Sequence, residues 1–132
     1  MPPAPVISPD EPALRTLAMP ADANPRGDIF GGWVLAQMDL AGAVPAIQRA
    51  RGRVATVAVE AIRFHHPIYV GDLVSCYARI ETVGRSSITV LIDTFATRSM
   101  DGERIRVTEG RFIYVATDEK GRPRPVPKEE EA

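Results

Sequence analysis

Asn24-Pro25-Arg26-Gly27-Asp28-Ile29-Phe30-Gly31-Gly32, continued by Trp33-Val34-Leu35-Ala36-Gln37-Met38-Asp39, decides how this chain is read. A loop rich in turn formers opens onto two glycines and an apolar run, which predicts a helix starting near Gly31. The helix is expected to reach about Arg51, with Pro45 removing one backbone hydrogen bond and Gly52 as its stop. Asp39 is the only ionisable side chain between Ile29 and Gln48. An unpaired carboxylate in a segment that otherwise reads as buried is costly unless it is hydrogen-bonded, paired or kept wet by a cleft. Stability alone gives no reason to put it there.

Outward from the helix the period changes to two. Leu14 to Ala18 is a short first strand, and Val54–Phe64, Asp72–Thr82, Ser87–Thr97 and Ile105–Ala116 are four longer ones rich in Val, Ile, Thr, Phe and Tyr. Val74, Cys76, Ala78 and Ile80 fall on one face, as do Ile88, Val90, Ile92, Thr94 and Ala96, so the sheet needs a cover on one side. The links Val70-Gly71-Asp72, Val83-Gly84-Arg85 and Met100-Asp101-Gly102-Glu103 are short, which predicts antiparallel pairing of consecutive strands. One buried helix and one antiparallel sheet make an α+β domain in which the sheet wraps the helix. The domain is expected at residues 13–118, with Pro-rich and charged extended tails at 1–12 and 119–132.

Composition narrows the partners. With 132 residues, 45% of them hydrophobic, and a formal net charge of −1, the chain fits one domain. It lacks the clustered cationic excess that nucleic acid or a membrane surface demands. The single cysteine, Cys76, forms no internal disulfide and reads as core, and the N-terminus lacks a secretory pattern, so a cytoplasmic location is expected. His65 and His66 are strand neighbours pointing to opposite faces and cannot chelate one ion. No metal and no cofactor are expected.

The order strand, glycine-led helix, four strands, with Asn24-x-x-Gly27-Asp28-Ile29-Phe30-Gly31-Gly32 and Gln37-Met38-Asp39, resembles the hotdog-fold acyl-CoA thioesterases, closest to the YciA-like branch. The likeness covers roughly Leu14 to Pro127. It is strengthened by Gly52-Arg53-Val54-Ala55-Thr56-Val57, Pro67-Ile68-Tyr69-Val70-Gly71-Asp72, Val83-Gly84-Arg85-Ser86-Ser87 and Phe112-Ile113-Tyr114-Val115-Ala116. The resemblance implies hydrolysis of acyl-CoA to free acid and CoA, with Asp39 as the catalytic residue and Asn24 in the site. It also implies a homodimer as the minimal unit, commonly assembled as a trimer of dimers. Pro25, Pro45 and Gly110 depart from the family pattern and bear on the shape of the cleft.

Thioester hydrolysis needs a base or nucleophile near the carbonyl carbon and donors aimed at the oxygen as it turns negative. Asp39 supplies the first, as general base or as nucleophile. The unpaired amides of Gly31 and Gly32 at the helix start supply the second. Gly32 and Asp39 are separated by roughly 10 Å along one helix, so one carbonyl cannot meet both. Two helices antiparallel about a two-fold axis bring the glycine end of one to the aspartate of the other.

For the CoA phosphates, the turn Gly84-Arg85-Ser86-Ser87 is the best candidate, with Arg63, His65, Arg53 and Thr56 as further ones. The competing readings are a structural Asp39, an Asn24 that only shapes a turn, and glycines that only permit close packing. A hotdog dehydratase or hydratase would rely on a catalytic His, and the helix holds none. A non-catalytic acyl-CoA sensor would not need Asp39.

Overall fold

The computed structural model describes residues 9–98 and 102–129. Five strands, β1 (Leu14–Leu17), β2 (Val54–Phe64), β3 (Leu73–Val83), β4 (Ser87–Arg98) and β5 (Glu103–Ala116), form one antiparallel sheet in the order β1-β3-β4-β5-β2. Among the described residues one long helix, α1 (Gly31–Ala50), crosses one face of it and runs unbroken through Pro45. The expected alternation holds: Val74, Cys76 and Ala78 of β3 and Ile88, Val90, Ile92, Thr94 and Ala96 of β4 are buried under the helix. From above they meet Val34, Met38, Ala41, Ala46 and Ala50 of α1. Each large apolar side chain so buried contributes about 1.5–3 kcal/mol. Burial pushes the Cys76 thiol up to about 11, as befits a core residue. No helix among the described residues is long and apolar enough to cross a membrane.

Four expectations are corrected. Consecutive strands pair at β3–β4 and β4–β5, but β2 and β3 lie at separate places in the sheet, β2 on one edge beside β5. The link between them is the whole of residues 65–72, long enough to cross, and not only the tight turn at Gly71. Strand β2 also breaks the alternation: its register shifts between Thr56 and Ala58 and again between Glu60 and Arg63, where Ala61 takes φ 55°. Gly110 of β5 makes that possible, because a side chain there would overlap the Ile62 methyl.

At the helix end it is Arg51, φ 56° and ψ 43°, that turns left-handed, one residue ahead of Gly52. Gly52 leaves room for another group: a Cβ there would stand 2.7 Å from Nη2 of Arg124. That guanidinium donates to the carbonyls of Ala50 (2.8 Å) and Thr117 (3.0 Å) and so caps α1.

The C-terminal segment is not a loose tail as far as Pro127. The amide of Arg124 donates to Ala116 (2.9 Å), that of Val126 to Arg85 (2.8 Å), and Arg49 binds the Pro127 carbonyl. Composition hid this because the segment is held by backbone and guanidinium hydrogen bonds and only Val126 reaches the core. Residues 1–8 and 130–132 of the expected tails, and 99–101 of the last link, lie outside the described residues.

Candidate active site

Asp39 sits eight residues into α1, half-buried, with its side chain and its backbone both engaged. The Thr56 hydroxyl donates to Oδ1 at 2.6 Å, and the Tyr114 hydroxyl donates to the Asp39 main-chain carbonyl at 2.7 Å. Thr56 and Tyr114 are register partners on β2 and β5, so two adjacent strands grip the helix at this residue. Gly42, one turn further on, lets them do it: any side chain there would collide with the Tyr114 hydroxyl and with Ile92. Burial, reinforced by the neighbouring Asp39 charge, holds the Tyr114 phenol protonated well beyond its usual range. The result is a carboxylate of fixed position on a helix face free of other charge.

The loop before the helix is equally ordered. Oδ1 of Asn24 accepts the amides of Arg26 (2.9 Å) and Asp28 (3.1 Å), and the Asn24 amide donates to the Asp28 carbonyl (2.6 Å). Gly27, at φ 96°, closes the turn. The amide of Ile29 donates to Ile68 (2.8 Å) and that of Phe30 to Asp22 (3.1 Å), which pins the entry to α1. The first helical amides to find a carbonyl are those of Trp33 and Val34, on Phe30. The Gly31 and Gly32 amides precede them, and no side chain caps this end. Gly32 faces open space, whereas a side chain at Gly31 would press on the Phe64 ring at 3.3 Å.

The remaining candidates divide between two places. The turn at Gly84-Arg85-Ser86-Ser87 lies at the same end of the sheet as the Asp39 grip, since Ile88, next after it, is opposite Tyr114. Its Arg85 and Ser86 carbonyls are occupied by the amides of Val126 and Ala116. Arg53, at the foot of β2, donates to the Glu119 carbonyl at 3.3 Å. Arg63 and His65 are at the other end of β2, beside Glu109: His65 Nε2 is 2.6 Å from Glu109 Oε2, on the sheet face turned away from α1. Glu109 also pairs with Arg106 at 3.2 Å, and together His65 and Arg106 hold its carboxyl below the ordinary range.

The structure therefore brings Thr56 onto Asp39 as its support, leaves Asn24 in the loop ahead of α1 and Gly31 and Gly32 at the start of the helix, and parts Arg63 and His65 from both. Tyr114 and Gly42 escaped the sequence reading. A glycine three residues after a lone helix carboxylate, facing a tyrosine on the apolar side of the last strand, was the signal available for them.

Comparison with known proteins identifies the family and the fold. A family model described as the thioesterase superfamily matches residues 26–102. The acyl-CoA thioester hydrolase YciA of Salmonella typhimurium is 51% identical over 117 residues, covering 86% of this chain and 88% of that protein. The hexameric thioesterase y2039 from Yersinia pestis superposes with a TM-score of 0.85 at 52% identity, over 89% of this chain and 96% of that one. HI0827, a hexameric broad specificity acyl-coenzyme A thioesterase solved as an aspartate-to-alanine mutant, gives 0.86 at 50% identity, over 89% and 87%. On its fold and on these relatives the chain belongs to the thioesterase superfamily, as a hotdog-fold acyl-CoA thioesterase of the YciA-like branch.

Proposed function

We propose that the protein hydrolyses acyl-CoA to a free carboxylic acid and CoA in sites completed by two protomers, with Asp39 as general base. Asp39, oriented by Thr56 and fixed to the sheet through Tyr114, is the observation that carries this reading. Its carboxylate takes a proton from water as the oxygen attacks the thioester carbon. The carbonyl oxygen, now negative, is received by the amides of Gly31 and Gly32 of the partner subunit. Collapse of the tetrahedral species breaks the carbon–sulfur bond, and the proton returns from Asp39 to the departing thiolate. The Asn24 carbonyl is committed to its own loop, so its Nδ2 is the donor that remains for the substrate or the water.

Support for a two-fold partner comes from what stands bare. Gly32, Ala36, Leu40 and Ile47 form an exposed, uncharged stripe along α1, with Leu40 58% exposed. Beside it β2 is an 11-residue edge strand whose Val57 and Val59 are 57% and 45% exposed. A long apolar edge of this kind pairs with another chain or aggregates. Antiparallel contact of two α1 helices with β2 meeting β2 covers both features at once and places Asp39 opposite the glycine end of the other helix. The hexameric relatives support a trimer of such dimers.

The test is CoA release from short, medium and long acyl-CoAs by the wild type and by Asp39→Asn, with oligomer size measured for both. Loss of turnover by about 100-fold or more in a correctly assembled variant is expected. A wild type that binds these thioesters without releasing CoA would refute the hydrolase reading.

A further inference from the structure

The crossover link 65–72 carries the stretch Pro67-Ile68-Tyr69-Val70-Gly71-Asp72, to which the reaction so far gives no part. It belongs to no strand of the sheet, yet Ile68 is 2% and Asp72 3% exposed. A loop over a protein surface does not ordinarily bury a carboxylate.

Arg98, the last residue of β4, holds this link from the sheet. Its Nη1 donates to Asp72 Oδ2 in an ion pair, and its Nη2 donates to the Pro67 carbonyl at 2.9 Å. The guanidinium also lies over the Tyr69 ring, 4.7 Å from its centroid. One planar fork thus meets a carboxylate, a carbonyl and an aromatic face together, which the point charge of a lysine does not do. The same Asp72 oxygen accepts the Tyr69 amide at 2.9 Å.

The other side of the link carries the entry to α1. The Ile68 carbonyl accepts the Ile29 amide (2.8 Å), two residues before Gly31, and Tyr69 bridges Asp28 in an antiparallel pair. A second path also starts at Asp72. Its carbonyl accepts the Ala18 amide (3.0 Å), and the chain then runs through the single turn Pro20–Asp22 to the Asp22 carbonyl, which takes the Phe30 amide (3.1 Å). Both paths end on the segment that presents Asn24 Nδ2 and the amides of Gly31 and Gly32. Neither touches Asp39. The strand end that grips Asp39, where Ile88 lies opposite Tyr114, is ten residues of β4 away from Arg98, roughly 33 Å.

Resting on the two-protomer thioesterase reading, we propose that Arg98 is a positioning residue for the reaction. Through Asp72 and the 67–72 link it sets the place of the Asn24 and glycine donors, and so serves the site whose base is the partner subunit's Asp39. A shift of about 1 Å in such donors lowers turnover while the substrate still binds.

The test is CoA release by assembled variants, followed by subunit mixing. In Arg98→Gln, kcat should fall about 10-fold with KM little changed, and Arg98→Lys, which keeps the charge and loses the fork, should fall less. Mixing locates the defect, which a general loss of stability would not do. Exchanged at random with Asp39→Asn, Arg98→Gln should recover about a quarter of wild-type activity, since each mixed dimer has one intact site. Exchanged with Asn24→Ala it should gain nothing, because both defects lie in the same half of the site. Arg98→Gln strands a buried carboxylate, so the pair Asp72→Asn with Arg98→Gln is taken through the same mixing and should behave alike. An unaltered kcat, or recovery with Asn24→Ala or with neither partner, would overturn the proposal and leave the hydrolase reading untouched. A mixture of Asp39→Asn with Asn24→Ala that recovers nothing would remove the shared site, and this role of Arg98 with it.

Discussion

The two sides of α1 differ in kind. Toward the sheet, Val34, Met38, Ala41, Gly42 and Ala46 are closed off, with Gly42 fitted so tightly to Tyr114 and Ile92 that an added side chain would have to displace them. Away from the sheet, Gly32, Ala36, Leu40 and Ile47 are equally apolar and uncovered. Asp39 lies between the two, its backbone tied to the closed side by Tyr114 and its carboxylate held by Thr56. A packed face explains how a carboxylate is aimed; a bare one beside it explains where a second chain and a substrate enter.

Charging the bare side should produce the largest effect. Leu40→Glu leaves the packed face alone, so circular dichroism should report a folded protein, while sedimentation shows the dimer lost. Turnover should fall by about 100-fold or more, since each site then lacks its second half. Full activity in a monomer would break the comparison. Filling the closed side instead should act on stability: Gly42→Val should lower the unfolding free energy by about 1–3 kcal/mol in a urea titration, because rigid groups on β4 and β5 must move.

The carboxylate's supports carry smaller effects. Thr56→Val removes one hydrogen bond to Oδ1 and should cost about 10-fold in kcat with assembly intact. An unchanged kcat would assign Thr56 to substrate contact alone. Tyr114→Phe should lose about 1 kcal/mol of stability. The phenol also dictates a pH dependence. Its folded ionisation is raised, so its contribution is full below the ordinary phenol value near pH 10 and declines as pH climbs above it, where only the unfolded chain ionises. The wild type's urea midpoint should therefore drop more steeply above about pH 10 than that of Tyr114→Phe.

Much of this contrast was legible from the residues alone. The bounds of α1, the buried faces of β3 and β4 and the singular position of Asp39 follow from periodicity and from one charge in an apolar run. Periodicity failed at β2, because the irregularity around Ala61 depends on room left by Gly110 in another strand. The C-terminal segment was misread because Arg49 and Arg124 fasten it through carbonyls, a contact that composition cannot register. Thr56 was marked as a ligand contact. Only the pairing of β2 with β5 shows that its hydroxyl reaches Asp39. Tyr114 stayed hidden for the same reason, since its role is set by a glycine 72 positions earlier in the chain.

Central to the account is a site shared between protomers, and subunit mixing tests it most directly. Asp39→Asn and Asn24→Ala are each expected to be nearly inactive alone. In a dimer of one with the other, a shared site places both defects together and leaves the second site intact. Random exchange at equal amounts should then restore about a quarter of wild-type activity. Mixtures no more active than the separate variants, with exchange verified by mass, would place the whole site within one chain and contradict the account.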